Sequence, residues 1–281
     1  TMSISQEELH QVQDNLNTVD DLRRQLHARP DLPYELLFSL LSHRTTRHVK
    51  KATSASKRRN GENTPDLVRD FLAGTPLAVL AAGETLPVCE LLRLMLPGLR
   101  RQGILTRETR RGARDDIKLK DLILTPQVIR ADMRERLLHA IDEDCLRSPA
   151  SDEAANIMGR EYEHMLLRKL QARNIPVTTE EQLQRLGSSK TPDVYLEVPI
   201  EVDGRVVNWI DSKATFADRL LFSENRPQFR SYVNRFGPGM VIYWFGFVDS
   251  LPRDDDLVVV DRFPEHFKGI ANMPMCYTTV Q

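Results

Sequence analysis

The chain has 281 residues, of which 41% are hydrophobic and 28% are charged, a composition typical of a globular protein. Its 39 basic and 40 acidic residues give a net charge of −1, so overall charge does not favour binding to nucleic acid. No apolar run is long enough to cross a membrane, and the opening TMSISQEELH lacks the basic and apolar regions of a signal peptide. The three cysteines form no CxxC pair, so we expect a reducing, intracellular location. Because no long apolar run occurs, we expect no membrane partner.

Residues 1–150 are predicted to be helical, because apolar side chains recur there at spacings of three and four residues. Residues 76–96 predict two short helices joined by a tight turn, the second ending at Pro97-Gly98. This is the outline of a helix-turn-helix, and residues 20–51 have a similar outline. Two helices that only pack on each other give the same pattern, so DNA binding is one of two interpretations of this half.

Two stretches of the helical half combine many basic residues with almost no acidic ones. Residues 36–61 contain no acid, and residues 93–114 contain a single one, Glu108. Such stripes can neutralise a phosphate backbone even when the net charge is close to zero, although a solvated helix face has the same composition. The residues that we assign to nucleic-acid binding on this basis are Arg44, Arg47, Lys50, Lys51, Arg93, Arg100 and Arg101.

The pattern changes in the second half of the chain. A polar stretch of small residues at 148–155 predicts a linker, so we divide the chain into a helical region, 1–150, and a second domain, 151–281. The predicted elements of this domain are a helix at 154–172, a hairpin of strands 194–202 and 206–214 around Asp203-Gly204, a helix at 226–236 and a buried strand at 240–248. Helices combined with a hairpin and a buried strand predict an α/β domain, and hence a two-part α+β chain.

Three polar side chains are expected to meet at the end of this hairpin. Thr191-Pro192-Asp193 directly precedes the first strand, and Asp211-Ser212-Lys213 ends the second. Residues two apart on a strand point to the same face, so Asp211 and Lys213 project together. Two carboxylates suit Mg²⁺ or Mn²⁺, and an adjacent ammonium can orient water or stabilise charge during phosphodiester hydrolysis. The alternative is a turn-shaping aspartate beside a surface ion pair.

Two neighbouring helices offer further polar groups. Glu163, in the sequence Gly159-Arg-Glu-Tyr-Glu163, could supply another carboxylate, with Leu166 and Leu170 turning the opposite side of the helix to the core. Glu161 is the alternative helix ligand. Gln228 and Tyr232 lie four apart on one helix face, where both can hydrogen-bond to a nucleotide or a metal-bound water, or serve helix packing.

A second Thr-Pro-Asp sequence serves as an internal control. At Thr64-Pro65-Asp66 a helical apolar pattern follows instead of a hairpin. Thr64 is therefore predicted to cap a helix with Pro65 in its first turn, and only Asp193 is predicted to belong to an active site.

The order Gly159-xxx-Glu163, Pro192-Asp193, Asp211-x-Lys213 and Gln228-xxx-Tyr232 resembles the PD-(D/E)xK nuclease superfamily, in particular its branch with a QxxxY helix. The segments 190–193, 209–214 and 228–247 look like the family of codanin-interacting nucleases and its archaeal relatives with a TPD motif. The one departure is Asp211, where the related human chain has glutamate, and both residues bind metal.

The resemblance implies a restriction-endonuclease-like domain with a mixed central sheet flanked by helices. It further implies a nuclease that depends on Mg²⁺ or Mn²⁺, with Glu163, Asp193 and Asp211 as metal ligands and Lys213, Gln228 and Tyr232 completing the active site. The expected partners are DNA and a codanin-like protein, and the expected location is nuclear and cytoplasmic. Two rival interpretations remain: a nuclease fold that serves as a scaffold for a partner, and a DNA-binding protein that acts through its helical half.

Overall fold

The computed structural model describes residues 3–58, 64–106, 117–187 and 190–269. The chain forms two compact units, one made of Thr1–Leu41 with Ile157–Gln281 and the other of Ser42–Asn156. This division differs from a single boundary near residue 150, because the first 41 residues pack with the C-terminal unit. Residues 107–116, which contain four arginines of the second basic stripe, lie outside the described residues.

Helices dominate the first 150 residues, as the apolar spacing predicts. After the two-residue strand β1 (Ser3–Ile4), the helices are α1 (Gln6–Asp14), α2 (Val19–Ala28), α3 (Tyr34–Arg58), α4 (Thr64–Leu72), α5 (Leu77–Gly83), α6 (Val88–Arg101), α7 (Leu119–Leu124), α8 (Ala131–Asp142) and α9 (Pro149–Gln171), with a 3₁₀ turn at Pro126–Val128. Among the described helices, none combines the length and apolar character needed to span a membrane.

Helix α6 is longer than the sequence predicts, because Pro97 lies inside it rather than at its end. A proline removes one backbone hydrogen bond, here the one to the carbonyl of Arg93, but the buried Leu96 and Leu99 hold the helix against the core on either side of it. Gly98 permits a close approach to α4, since a Cβ at that position would lie 2.7 Å from Cγ2 of Val68. The predicted helix end at Pro97-Gly98 is therefore wrong.

The predicted linker at 148–155 is also wrong, because this segment forms the first turns of α9. Oγ of Ser148 accepts a hydrogen bond of 3.2 Å from the backbone amide of Ser151, which satisfies one of the free amides at the helix start. Pro149 occupies the first helical turn, where its missing amide costs nothing. The polar composition of 148–155 suggested a linker, but the sequence Ser148-Pro149 is typical of a helix start, and the helix is what forms.

The C-terminal unit contains a mixed sheet, as predicted. Its elements are β2 (Val177–Thr179), α10 (Glu180–Arg185), β3 (Val194–Val202), β4 (Arg205–Lys213), α11 (Arg219–Phe236), β5 (Gly239–Tyr243), β6 (Phe247–Val248) and β7 (Leu257–Val260). The five-stranded sheet has the order β2-β3-β4-β5-β7, with antiparallel pairs from β2 to β4 and parallel pairs from β4 to β7. Strand β6 pairs in parallel with β1 in a separate two-stranded sheet.

The hairpin and its flanking elements follow the predicted layout with two corrections. Asp203 and Gly204 both have positive φ, 49° and 78°, which is the backbone of the tight turn predicted between β3 and β4. Helix α11 begins before residue 226, since the side chain of Asp218 caps it by accepting a 2.7 Å hydrogen bond from the amide of Leu221. The apolar run 240–248 is two strands rather than one, because the chain turns between β5 and β6 at Gly246, where φ is 91°.

Each face of the sheet is covered by one helix, which confirms the expectation of a flanked sheet. Leu166 and Leu170 of α9 pack with Ile210, Met240 and Ile242 on one face. On the other face, α11 packs with alternate residues of the same strands, and that cluster contains Trp209, Phe222, Phe229, Tyr232, Val241 and Tyr243. The alternation along β4 therefore places Asp211 and Lys213 on the α11 side, in line with Trp209.

Candidate active site

The hairpin register brings the two predicted aspartates together. Val194 pairs with Ile210 across β3 and β4, so Asp193, which directly precedes β3, lies beside Asp211 of β4. Oδ2 of Asp193 accepts a hydrogen bond of 2.6 Å from the backbone amide of Ser212, which ties the Thr191-Pro192-Asp193 turn to the end of β4. The sequence prediction that the hairpin joins Asp193 to the Asp211-Lys213 pair is confirmed as geometry.

Lys213 and Asp211 form an ion pair inside the unit. Nζ of Lys213 lies 2.7 Å from Oδ2 of Asp211, and their side chains are 24% and 1% exposed. That same Oδ2 has no hydrogen-bond partner among the described residues, so the contact with Lys213 is electrostatic rather than an aligned hydrogen bond. A buried carboxylate oxygen without an aligned donor is costly, and it can accept a further cationic ligand.

Burial and charge shift the pKa values of this trio. Burial raises the pKa of both aspartates, and the Asp211 charge raises that of Asp193 further. Burial alone would lower the pKa of Lys213, but the nearby Asp211 and Asp193 carboxylates outweigh it and raise that pKa. The lysine is therefore charged at neutral pH, while the two carboxyl groups resist being ionised together.

Glu163 approaches the same site from α9, in an orientation that the sequence analysis described incorrectly. It lies three and seven residues before Leu166 and Leu170, so it shares their inward face instead of opposing it. Burial raises the pKa of Glu163, as do the charges of Glu180 and Asp211. The alternative ligand, Glu161, is 61% exposed and pairs with Arg168 at 3.0 Å, so the geometry favours Glu163.

Gln228 and Tyr232 meet on α11, behind the charged trio. Nε2 of Gln228 donates a 2.6 Å hydrogen bond to Oη of Tyr232. Tyr232 is buried, and its ring meets that of Trp209 edge to face at 5.2 Å. Burial and the Asp211 charge raise the pKa of Tyr232 to about 12, so its hydroxyl stays protonated. Packing and polar contact are thus combined in this pair, where the sequence left them as alternatives.

Glu180 is a site residue that the sequence analysis missed. Thr179 pairs with Val194 across β2 and β3, which places Glu180 opposite Asp193 at the same end of the sheet. The charge of Glu180 also contributes to the raised pKa of Asp211. Strand β2 has three residues, too few to give a periodic signal, so nothing in the sequence pattern placed Glu180 beside the hairpin.

The donor set fits a divalent cation held by few protein ligands. Among the described residues, no three histidine, cysteine, aspartate or glutamate side chains come together as a preformed metal cage. Mg²⁺ often takes only one or two carboxylates and completes its coordination with water and phosphate oxygens. Asp193 and Asp211, with the buried Oδ2 that lacks a hydrogen-bond partner, meet that requirement.

The predicted nucleic-acid residues lie on two helices of the unit Ser42–Asn156, which we call the helical unit. Arg44, Arg47 and Lys51 follow a spacing of three and four residues on α3, with Lys50 beside them. Arg93, Arg100 and Arg101 of α6 line a groove of about 1210 Å³ together with residues of α7 and the start of α9.

These basic residues are not equivalent. Arg93 forms ion pairs with Glu90 at 3.1 Å and with Asp152 at 3.4 Å, whereas the side chain of Arg101 is exposed. Much of the Arg93 charge is therefore balanced within the unit, and Arg101 is better placed to meet a phosphate.

Comparisons with known proteins point to one group. Residues 130–263 match the sequence model of a family described as "Protein of unknown function TPD sequence-motif". The chain is also similar to proteins named CDAN1-interacting nuclease 1, with 41% identity over 151 residues in Xenopus tropicalis, 40% over 161 in Danio rerio and 35% over 162 in Homo sapiens.

These alignments cover 52%, 56% and 57% of this chain and 50%, 52% and 54% of the relatives. The chain therefore spans about half the length of the curated relatives that it matches. No solved structure gives a significant match. The matched region contains Thr191-Pro192-Asp193 and leaves out Thr64-Pro65-Asp66, which forms the first turn of α4 in the structure.

Proposed function

We propose that this protein is a divalent-metal-dependent nuclease of the PD-(D/E)xK type that hydrolyses phosphodiester bonds, with DNA as the expected substrate. The observation that carries the proposal is the meeting of Asp193, Asp211 and Lys213 at one end of the β3–β4 hairpin. An acid whose pKa is raised by burial and by a neighbouring carboxylate, as that of Asp193 is, is unfavourable for stability, and such groups concentrate at catalytic sites. The name of the relatives, CDAN1-interacting nuclease 1, agrees with this chemistry.

Mg²⁺ or Mn²⁺ would be held by Asp193 and Asp211, with Glu163 as a further oxygen donor from α9. A bound divalent ion supplies an activated water and neutralises charge on the phosphate. The protein's own contribution is to keep the acids in place, through the hydrogen bond from the Ser212 amide to Asp193 and the rigid strand that carries Asp211.

Lys213 provides the positive charge that phosphodiester hydrolysis requires. Because the aspartates raise its pKa, its ammonium stays charged and can stabilise the negative charge that develops on the phosphate oxygens as water attacks. It can also hold the attacking water through one of its three N–H donors. Tyr232 and Gln228, joined by their hydrogen bond of 2.6 Å, border the site on the α11 side.

We infer that the helical unit contributes nucleic-acid binding through exposed basic residues such as Arg101 and Lys51, and that a codanin-like protein is a partner. The partner is inferred from the name of the relatives, CDAN1-interacting nuclease 1. We further propose an intracellular location, nuclear and cytoplasmic. A scaffold role without catalysis is the competing function, and the cleavage test below separates the two.

The test is a cleavage assay on labelled single-stranded, duplex, flap and four-way-junction DNA and on matching RNA. The reaction is run with Mg²⁺, Mn²⁺ or EDTA, for the wild type, Asp211→Asn and Lys213→Ala. Lys268→Ala is the matched control, because Lys268 also pairs with a carboxylate, Glu201 at 2.8 Å, but on the surface.

We expect metal-dependent cutting by the wild type and the control, and a loss of at least about 100-fold in the two site variants. Equal cutting by Lys213→Ala and Lys268→Ala would refute the assigned site. If no substrate is cut while a codanin-like partner is bound equally by all four proteins, the scaffold function replaces the nuclease.

A further inference from the structure

A third carboxylate stands in line with the two aspartates of the proposed nuclease site. The register of β2, β3 and β4 places Glu180 next to Asp193, and Asp193 next to Asp211. Directly opposed residues of antiparallel strands share one side of the sheet. Glu180, which begins α10 directly after β2, and Asp193, which directly precedes β3, therefore lie in a row with Asp211 of β4.

Glu180 holds the turn that carries Asp193 through two contacts. Its backbone amide donates a 3.0 Å hydrogen bond to the carbonyl oxygen of Asp193. Its Oε1 accepts a 3.2 Å hydrogen bond from the hydroxyl of Thr191. Backbone and side chain of one residue thus hold both ends of the Thr191-Pro192-Asp193 turn.

These contacts give the threonine of that turn a physical role. The side chain of Thr191 is buried, so its hydroxyl needs a partner, and the carboxylate of Glu180 supplies it. Glu180 is in turn restrained by Gln184, whose Nε2 donates a 2.9 Å hydrogen bond to the same Oε1. Thr64, in the other Thr-Pro-Asp sequence, lies at the start of a helix, where no such glutamate is required.

We propose that Glu180 is a positioning residue of the nuclease site: through Thr191 and the Asp193 carbonyl it fixes the turn that points the Asp193 carboxylate at the site. This inference rests on the proposed nuclease function for its catalytic consequence, but not for its structural one. Its negative charge, beside Asp193, also strengthens the attraction of the site for a divalent cation.

The neighbouring residue provides a matched control. Glu181 lies on the same helix, but its side chain is 74% exposed and pairs with Arg185 at 2.5 Å. Five proteins would be compared with the wild type: Glu180→Ala, Glu180→Gln, Thr191→Val, the double variant Glu180→Ala/Thr191→Val, and Glu181→Ala. Glutamine keeps an oxygen that accepts the threonine hydroxyl but removes the charge, so it separates positioning from electrostatics.

The first measurement is amide hydrogen exchange of the peptide covering residues 190–196 in the metal-free protein. We expect Glu180→Ala and Thr191→Val each to accelerate exchange by about tenfold, because one hydrogen bond to a charged group is lost. The double variant should exchange no faster than either single variant, since both substitutions remove the same contact. Glu180→Gln and Glu181→Ala should stay close to the wild type.

The second measurement is the affinity for Mn²⁺ alone, by titration calorimetry, together with kcat and KM on whichever nucleic acid the cleavage assay identifies as the substrate. Glu180→Ala should weaken Mn²⁺ binding by about 10-fold to 100-fold, as expected for a residue that orients a metal ligand. Glu180→Gln should show a smaller loss, and Glu181→Ala none.

If amide exchange in Glu180→Ala is no faster than in Glu181→Ala, the positioning role is overturned, regardless of the measured Mn²⁺ affinity and nuclease activity. A wild type that neither binds Mn²⁺ nor cuts nucleic acid would instead refute the proposed nuclease, while faster exchange in Glu180→Ala would still support the positioning role. The two failures are therefore distinguishable.

Discussion

Replacing Lys213 by methionine tests the buried charge pair at the centre of the proposed site. Methionine keeps most of the length of the side chain and removes its charge. The 1% exposed carboxylate of Asp211 would then lose its only nearby cation among the described residues. Breaking a buried ion pair in this way costs about 3–5 kcal/mol, and because the Lys213 side chain keeps 24% exposure we expect the lower end, about 3 kcal/mol.

Urea unfolding in EDTA, followed by tryptophan fluorescence, is suited to this measurement. Both tryptophans, Trp209 and Trp244, lie in the unit that contains the site, so the signal reports its unfolding. With a typical urea dependence, a loss of about 3 kcal/mol lowers the midpoint by about 1 M or more.

The matched control is Lys268→Met. The Lys268–Glu201 pair has a similar distance, 2.8 Å, but its side chains are 71% and 32% exposed, and such a surface pair contributes about 0–1 kcal/mol. Combining Lys213→Met with Asp211→Asn should recover most of the loss, since no buried charge remains. Equal midpoints for Lys213→Met and Lys268→Met, or no recovery in the double variant, would refute the assignment of a buried, unbalanced carboxylate.

Three further substitutions have defined outcomes. Gly239→Ala should destabilise the protein by about 1–3 kcal/mol or more in thermal unfolding, because its Cβ would lie 2.0 Å from an indole carbon, whereas Gly83→Ala, with nothing within 4 Å, should not; equal effects would contradict the close packing. Asp193→Asn should stabilise the metal-free protein by about 1 kcal/mol at pH 7.5, and the gain should vanish as the pH falls towards 4. The sign follows because burial raises the pKa of this carboxyl in the folded state, so the fold binds the proton more tightly and loses stability as the pH rises; a constant gain at all pH values would argue against it. Arg101→Ala should weaken DNA binding and reduce its log–log salt slope by about 1, whereas Arg93→Ala, whose charge is already paired, should change the slope less; the reverse order would contradict this assignment.

The sequence predicted best where short-range signals determine the structure. The Asp203-Gly204 pair specifies a tight turn, and the β-branched residues on either side specify two strands, so the hairpin and the meeting of Asp193 with Asp211 could be derived without a structure. Spacing alone was also enough to bring Gln228 and Tyr232 together, four residues apart on a helix.

The predictions failed where distant contacts decide. Helix α6 continues through Pro97 because its neighbours are buried in the helical core, which no local rule for proline contains. Strand β2 forms because it pairs with β3, a long-range contact that leaves no local sequence signal. The sequence therefore did not indicate that Glu180, which follows β2, lies beside the site. Glu163 was assigned to the wrong face by a simple error of helical phase, since a spacing of three and seven residues places it with Leu166 and Leu170.

The charge balance of the site bears on the choice between an enzyme and a scaffold. Three carboxylates, Glu180, Asp193 and Asp211, lie at the same end of three adjacent strands, and among the described residues Lys213 is the one cation paired with them, so at least part of their mutual repulsion is uncompensated. Burial and this repulsion raise the pKa of Asp193 and of Asp211, which means that their ionised forms oppose folding at neutral pH. A surface that only binds a partner gains nothing from such a cluster, and substitution by amides would relieve it. A divalent cation converts the same repulsion into binding energy, and the arrangement therefore favours the metal-dependent nuclease over the scaffold.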